Sequence, residues 1–436
     1  MKFTAPFPPA DEDSIKALYP PDLQLVFLQI VHRHGERTPV RKRLEDKITP
    51  VWNLCHAAKE FQAIIQRDVI RTEHLSDSSS NKMGLESFSY KRMVLGPDGR
   101  RMKDGDCFLG QLTDIGRSSM TKLGTRLREI YVDKLKFLDT SLDGPETLFI
   151  RSTDFVRTLE SVQHLADGLY PAGTRPKDFV LEVYTRNAFD ENLYINRNCA
   201  RLKDLTEQFY RAAVEITEKR LQEVSKKLSG LGLGEIRLDS HPSASGLLDS
   251  AVAAKANGIP IPQELEDVIE DLHIVNTIEW FYGFTQSQEM RRLGIGRLLG
   301  EITGRIEDKV RDDESTKKLK LAIYSGHDTT VGPLLTTLGG FDNKFPPFNS
   351  VILIELFRAQ PRPTDSWWRG LWSKEEDQYY VRVRYNDQVV QVPECKNGGQ
   401  HHPNGDTSLC TLSAFKRAVE SQIPKNWAKE CEARDE

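Results

Sequence analysis

The 436-residue sequence predicts an α/β fold: a mainly parallel central sheet flanked by helices, with an inserted helical lobe. Three observations carry this. Residues 23–31 (LQLVFLQIV) are almost continuously apolar and rich in branched side chains, as in a strand buried on both faces. Shorter apolar runs at 147–150 and 321–324 also stop abruptly in polar sequence. Between them, residues 192–304 keep a helical period.

The elements follow in order. The first strand stops at His32-Arg33-His34-Gly35, a polar turn. Residues 41–110 read as irregular, with a short helix at 57–69, a polar run at 76–82 and a turn at Gly96-Pro97-Asp98-Gly99. Thr113 is a candidate N-cap for a helix whose stripe is Leu123, Leu127, Ile130 and Tyr131. The run at 147–150 leads into Arg151-Ser152-Thr153-Asp154, then a helix with Phe155, Leu159, Val162, Ala166 and Leu169 on one face. Residues 179–184 read as a third strand. In the helical block, Leu205, Phe209, Ala212 and Ile216 share a stripe continued by Leu221, Val224 and Leu228. Residues 321–324 enter Ser325-Gly326-His327-Asp328, and 351–357 and 379–385 read as late strands. Segments 1–190 and 305–436 then form the α/β core, 191–304 the inserted lobe, and 41–110 a pocket-shaping addition.

The totals exclude several functions. A net charge of -4 leaves no global positive field for nucleic acid, so an anionic ligand needs a local cationic cluster. No apolar run is long enough to span a bilayer. Residues 1–13 are Pro-rich and acidic, without the apolar core of a secretory leader, and no Asn-x-Ser/Thr acceptor occurs. These features favour an intracellular protein. The six cysteines contain no Cys-x-x-Cys pair, which argues against structural zinc and for six free, mostly buried thiols. His401 and His402 read as part of a flexible surface loop rather than a metal site.

Three strand ends are chemically loaded: Arg33-His34-x-x-Arg37, Arg151 and His327-Asp328. Polar tips of neighbouring strands converge on one edge of an α/β sheet. Three guanidiniums suit the oxygens of a tetrahedral phosphoryl group and stay charged at any working pH. A neutral imidazole can attack phosphorus, and a carboxylic acid can protonate the leaving oxygen. The arginines neutralise the developing charge, so this chemistry calls for no metal and no cofactor. Taken singly, each piece has an ordinary explanation. Arg-His-Gly can be a plain turn, His32 a structural hydrogen-bonder, Arg151 a surface charge, and Asp328 a helix N-cap. Glu36 could anchor Arg37, repel phosphate or be solvated, and Asp154 and Arg157 could form a local ion pair of small worth. On chemistry alone, His327 could be either a phosphate contact or the nucleophile.

The full set resembles a known family. Arg33-His34-Gly35-Glu36-Arg37-Thr38-Pro39 is similar to the Arg-His-Gly-x-Arg-x-Pro signature of the histidine acid phosphatases. Ser325-Gly326-His327-Asp328-Thr329-Thr330 resembles their His-Asp motif, and residues 151–158 the segment carrying their third phosphate-binding arginine. The resemblance implies a phosphoglycerate mutase-like fold and a metal-independent acid phosphatase acting on phosphate monoesters. His34 would be the nucleophile, Arg33, Arg37, Arg151 and His327 the phosphate ligands, and Asp328 the proton donor. A helical lobe would cover the pocket. A lysophospholipid is one candidate substrate and phytate another, Glu36 arguing mildly against the second. A mutase or sugar-bisphosphatase of the other superfamily branch is a further alternative, disfavoured by Arg37-Thr38-Pro39 and the His327-Asp328 ending. A non-enzymatic phosphate-binding module is the third. The resemblance also implies Cys199–Cys431 and Cys395–Cys410 disulfides, which would point to the secretory pathway; Cys55 and Cys107 match no pairing.

Overall fold

A computed structural model describes residues 12–56, 95, 99–142, 144–177, 179–360 and 375–432. Its central sheet runs β2-β3-β1-β4-β5-β6, with β7 also paired to β5. The strands are β1 (Leu23–Arg33), β2 (Leu148–Ser152), β3 (Leu321–Gly326), β4 (Val351–Ala359), β5 (Tyr379–Tyr385), β6 (Gln388–Val390) and β7 (Cys410–Thr411). β2, β3 and β1 are parallel neighbours, and β4 onward adds antiparallel strands to one side. Leu28, Ile30 and Val31 of β1 are fully buried, which explains the unbroken apolar run; each such side chain stabilises the fold by about 1.5–3 kcal/mol.

Helices α1 (Glu12–Leu18), α2 (Asp114–Arg128) and α3 (Val156–Leu169) come before the helical block. Thr113 caps α2 by accepting from the Gly116 N–H, and Leu123, Leu127, Ile130 and Tyr131 pack with α3 against one sheet face. The block is α4 (Ala200–Lys227), α5 (Ala244–Ala256), α6 (Gln263–Glu266), α7 (Ile269–Gln286), α8 (Gln288–Gly294) and α9 (Gly296–Val310). Helices α10 (Asp328–Thr337), α11 (Leu412–Glu420) and α12 (Trp427–Glu430) follow.

Helices α4, α5 and α7 share their own core with Leu44, Ile48 and Trp52. In contrast, Leu298, Leu299, Ile302 and Ile306 of α9 pack on the second sheet face with α10 and α11. The lobe boundary drawn at 304 therefore cuts through a helix whose apolar stripe belongs to the sheet.

Other expectations are corrected. Residues 179–184 form no strand; only Tyr184 bridges Arg151, at the sheet edge, where Val180 stays exposed. All six cysteines are paired, as Cys55–Cys107, Cys199–Cys431 and Cys395–Cys410, which replaces the expectation of free thiols. His402 is buried, edge-on to Tyr380 with centroids 4.8 Å apart, and 3.6 Å from Asp22, so it is a packed side chain rather than part of a flexible loop. The helix expected at 57–69, the polar run at 76–82 and most of the turn at 96–99 lie outside the described residues. No helix among the described residues is long and apolar enough to cross a membrane.

Candidate active site

Parallel register brings the loaded tips together. Arg33 pairs with Gly326 between β1 and β3, and Ser152 with Ser325 between β2 and β3. The His34 N–H donates to the Gly326 carbonyl at 3.0 Å, so the chain after β1 is fixed beside the start of α10. The His34 and His327 rings stand edge-on, with centroids 5.6 Å apart.

His34 is buried, and its Nδ1 lies 2.9 Å from the Gly35 carbonyl oxygen. A carbonyl only accepts, so Nδ1 carries the proton and Nε2 keeps its lone pair. Burial, then Arg33, Arg157 and Arg37, hold this imidazole well below its ordinary pKa. The shift favours the neutral imidazole.

Arg33 Nη2 lies 2.7 Å from Asp328 Oδ2, and its Nη1 donates to the Pro346 carbonyl at 2.6 Å. Its guanidinium also sits over the Phe348 ring, 4.3 Å from the centroid. Arg37 Nη1 donates to Asp249 Oδ1 at 2.8 Å and to the Thr38 carbonyl at 2.9 Å. The Nε atoms of Arg33, Arg37 and Arg157, and that of Arg151 as well, are buried without a hydrogen-bond partner among the described residues. Such donors cost free energy until an acceptor arrives.

The third arginine of the sequence reading is placed differently from the first two. Arg151 ends in a pair of carboxylates: its Nη1 donates to Glu301 Oε2 at 2.8 Å and its Nη2 to Glu191 Oε1. It is committed to a buried ion-pair network, and the largest charge effects on His34 come from Arg33, Arg157 and Arg37. The geometry puts Arg157 there instead. Arg157 lies in the first turn of α3 and shapes the pKa of both His34 and His327. No carboxylate among the described residues forms an ion pair with it, so the expected Asp154 partnership does not form. Burial and the neighbouring Arg37 lower its pKa to about 10. The missed signal is spacing. Arg157 and Ser161 are four apart on α3, hence on one face, and Ser161 Oγ accepts from the Gly35 N–H at 3.1 Å.

His327, not Asp328, is the N-cap of α10. Its Nε2 lies 3.0 Å from Thr153 Oγ1, and burial, then Arg157, lower its pKa to about 3. Asp328 Oδ1 accepts from the Thr329 N–H at 2.8 Å, which leaves Oδ2 for Arg33. Burial pushes the Asp328 carboxyl up, but Arg33 and Arg37 outweigh it and hold the group below its ordinary value. Phe155, on the same helical stripe as the buried Val162 and Leu169, is itself 41% exposed, edge-on to His327 at 5.2 Å and under the Arg157 guanidinium at 4.7 Å.

Glu36 is buried and turned away from Arg37. Ser119 Oγ and Asn349 Nδ2 donate to its two oxygens, and burial raises its pKa. It anchors the turn to α2 and to the segment before β4. Behind the turn, helix α2 comes unusually close. A Cβ on Gly35 would stand 2.7 Å from the Gly116 carbonyl oxygen, and one on Gly116 would stand 2.1 Å from the Glu36 oxygen. Glycine at both positions is what allows this backbone-to-backbone contact.

A family model described as histidine phosphatase superfamily (branch 2) matches residues 24–386. A probable acid phosphatase, SPBC4.06, from Schizosaccharomyces pombe is 33% identical over 458 residues, covering 96% of each chain. A lysophosphatidic acid phosphatase type 6 from Homo sapiens is 28% identical, covering 91% of this chain and 83% of the relative. Among solved structures, the apo phytase of Hafnia alvei matches with a TM-score of 0.57 and 14% identity, covering 95% of this chain and all of the other. That likeness extends to the fold.

Proposed function

The chain belongs to branch 2 of the histidine phosphatase superfamily, and on that premise we propose that it hydrolyses phosphate monoesters through a phosphohistidine on His34. Arg33, Arg37 and Arg157 hold the phosphoryl oxygens, His327 adds a contact, and Asp328 is the proton donor. The observation that carries this is the convergence of Arg33, Arg37 and Arg157 on one buried imidazole, whose pKa all three lower. Nε2 of His34 attacks phosphorus, the ester P–O bond breaks, and the leaving oxygen takes a proton from Asp328. Water then attacks the phosphohistidine and gives its proton to the Asp328 carboxylate, freeing His34 and phosphate.

Asp328 starts ionised, so its proton arrives with the substrate. The second ionisation of a phosphomonoester lies near pH ~6, and below that the ester enters as a monoanion carrying one proton. A phosphoryl group against Arg33 draws that guanidinium from Asp328 and adds negative charge beside it. Both changes raise the carboxylate's affinity for a proton, which favours turnover at acid pH.

An amphiphilic ester such as a lysophospholipid is the substrate class the surroundings favour. A half-open pocket, enclosing only about 30 Å³, adjoins the turn at Thr38 and Pro39. Ile48, Trp52, Phe108 and Leu109 give it apolar walls, and Arg41, Lys42 and Arg43 a cationic rim. Residues 41–56 and 99–110 thus shape the pocket, with α4 to α8 as the covering lobe. The three disulfides favour an oxidising compartment and so the secretory route.

Rapid acid-free quenching with radiolabelled phosphomonoester tests the central step. Wild-type protein should yield acid-labile, base-stable label, and His34→Ala should yield none. Label that persists in His34→Ala would overturn the assignment of the nucleophile.

A further inference from the structure

Helix α5 lies outside every motif that identifies the site, yet it grips the turn at two points. From mid-helix, Asp249 Oδ1 accepts from Arg37 Nη1 at 2.8 Å, and Oδ2 accepts from the Val40 N–H at 2.9 Å. Oδ2 also stands 3.6 Å from Arg43 Nη1. Just past the helix, the buried Asn257 donates through Nδ2 to the Arg37 carbonyl at 3.3 Å and accepts from Thr113 Oγ1 at 2.6 Å. One turn before Asp249 the helix backbone meets the Arg43 side chain directly: a Cβ on Gly246 would lie 2.4 Å from Arg43 Nε. One carboxylate therefore fixes both the side chain of Arg37 and the backbone two residues beyond Thr38.

We propose that Asp249 is a positioning residue and counter-charge for the phosphate site, holding Arg37 in place and limiting how tightly product phosphate is retained. Three guanidiniums, from Arg33, Arg37 and Arg157, face two carboxylates, Asp328 and Asp249. The field of Asp249 reaches beyond its hydrogen-bonded partner, since it acts on Arg33 and Arg157 as well. Asp328 is occupied with proton transfer, so Asp249 is the standing negative charge of the pocket. A site with three fixed cations and only one carboxylate would bind inorganic phosphate more strongly than turnover tolerates, because interactions shared by product and transition state do not speed the cycle. Placing the counter-charge on α5 ties phosphate release to the helical lobe.

This inference rests on Arg37 being a phosphate ligand, and inhibition by inorganic phosphate tests both levels. Wild-type turnover of p-nitrophenyl phosphate should be competitively inhibited by phosphate; no inhibition would sink the reading of the site itself. Asp249→Asn keeps an oxygen acceptor for Arg37 and removes the charge. The expected result is an inhibition constant for phosphate lowered roughly fivefold, as loss of one nearby negative charge predicts, with KM for the ester lowered in parallel. Asp249→Glu should stay within twofold of wild type. A purely structural role would weaken phosphate binding in both variants, so an unchanged or raised inhibition constant in Asp249→Asn overturns the proposal. So does an equal shift in Asp249→Glu. If Asp249→Asn does not fold, Asp249→Ser removes the same charge and is read by the same criterion.

Discussion

Arg33 Nη2 and Asp328 Oδ2 stand 2.7 Å apart, joining the end of β1 to the first turn of α10. The pair binds the proposed proton donor to a proposed phosphate ligand, so filling one changes the other.

Asp328→Asn should therefore separate substrates by leaving group. An alkyl phosphate needs its oxygen protonated as it departs and should slow by about 10²-fold or more, the usual worth of a general acid. p-Nitrophenyl phosphate, with a stable leaving anion, should slow far less. Steady-state kcat for both esters measures this, and equal slowing removes Asp328 from the proton-donor role.

Arg157 and Arg151 should fail in opposite ways. Arg157→Met should lower kcat/KM by about 10²-fold while the melting temperature holds, because it removes a charge without an ion-pair partner among the described residues. Arg151→Met leaves Glu191 buried without its partner and should cost about 3–5 kcal/mol of stability. The folded fraction of that variant should keep most of its kcat/KM. A loss of activity in Arg151→Met as large as in Arg157→Met would restore Arg151 to the site.

Acid should destabilise the protein through its buried histidines. Burial lowers the His32 pKa to about 4, against an ordinary value of 6.5. The unfolded chain then takes up the proton first, so stability is lost as pH falls from about 6.5 toward the folded value. Between pH 6.5 and 5 this one group costs about 2 kcal/mol. Glu279, raised to about 7 by burial, works with the opposite sign and offsets part of the total. His32→Leu should flatten the dependence of melting temperature on pH in this window; an unchanged slope would mean that His32 does not titrate on unfolding.

The Cys199–Cys431 bridge closes a loop of 232 residues and ties α4 to the turn after α12. In the chain-entropy picture such a loop is worth ~5 kcal/mol. Intact protein should take up no thiol-alkylating reagent, gain six labels after reduction in denaturant, and melt at a markedly lower temperature once reduced. Labelling without reduction, read by mass, would contradict the pairing.

Much of the architecture was legible because burial leaves a mark on composition. β1, β3 and most of β4 are apolar runs, and the turns after β1 and β3 break that pattern at the positions where the chain reaches the site. Arg151 shows the limit of reading by strand ends. The tip of β2 is as polar as the others, but the alternation along a strand gives no hint of which face is already supplied with acids, and Glu191 and Glu301 come from distant sequence. Arg157 was visible only as a helical neighbour of Ser161. Asp249 carried no local signal at all, since its meaning depends on how a helix more than two hundred residues away docks on the turn.

The glycine seam behind His34 continues between the two helices that support it. A Cβ on Gly124 would meet the Leu165 oxygen at 2.0 Å, and one on Gly168 the Thr121 oxygen at 2.0 Å. With main chain resting on main chain, this side of the pocket has no side-chain cushion to compress and no spare volume to give. Esters of different bulk must then be accommodated from the opposite wall, where α5 meets Arg37 through Asp249 and Asn257. The turn that carries His34 thus rests on an unyielding backbone seam on one side and on side-chain contacts with α5 on the other.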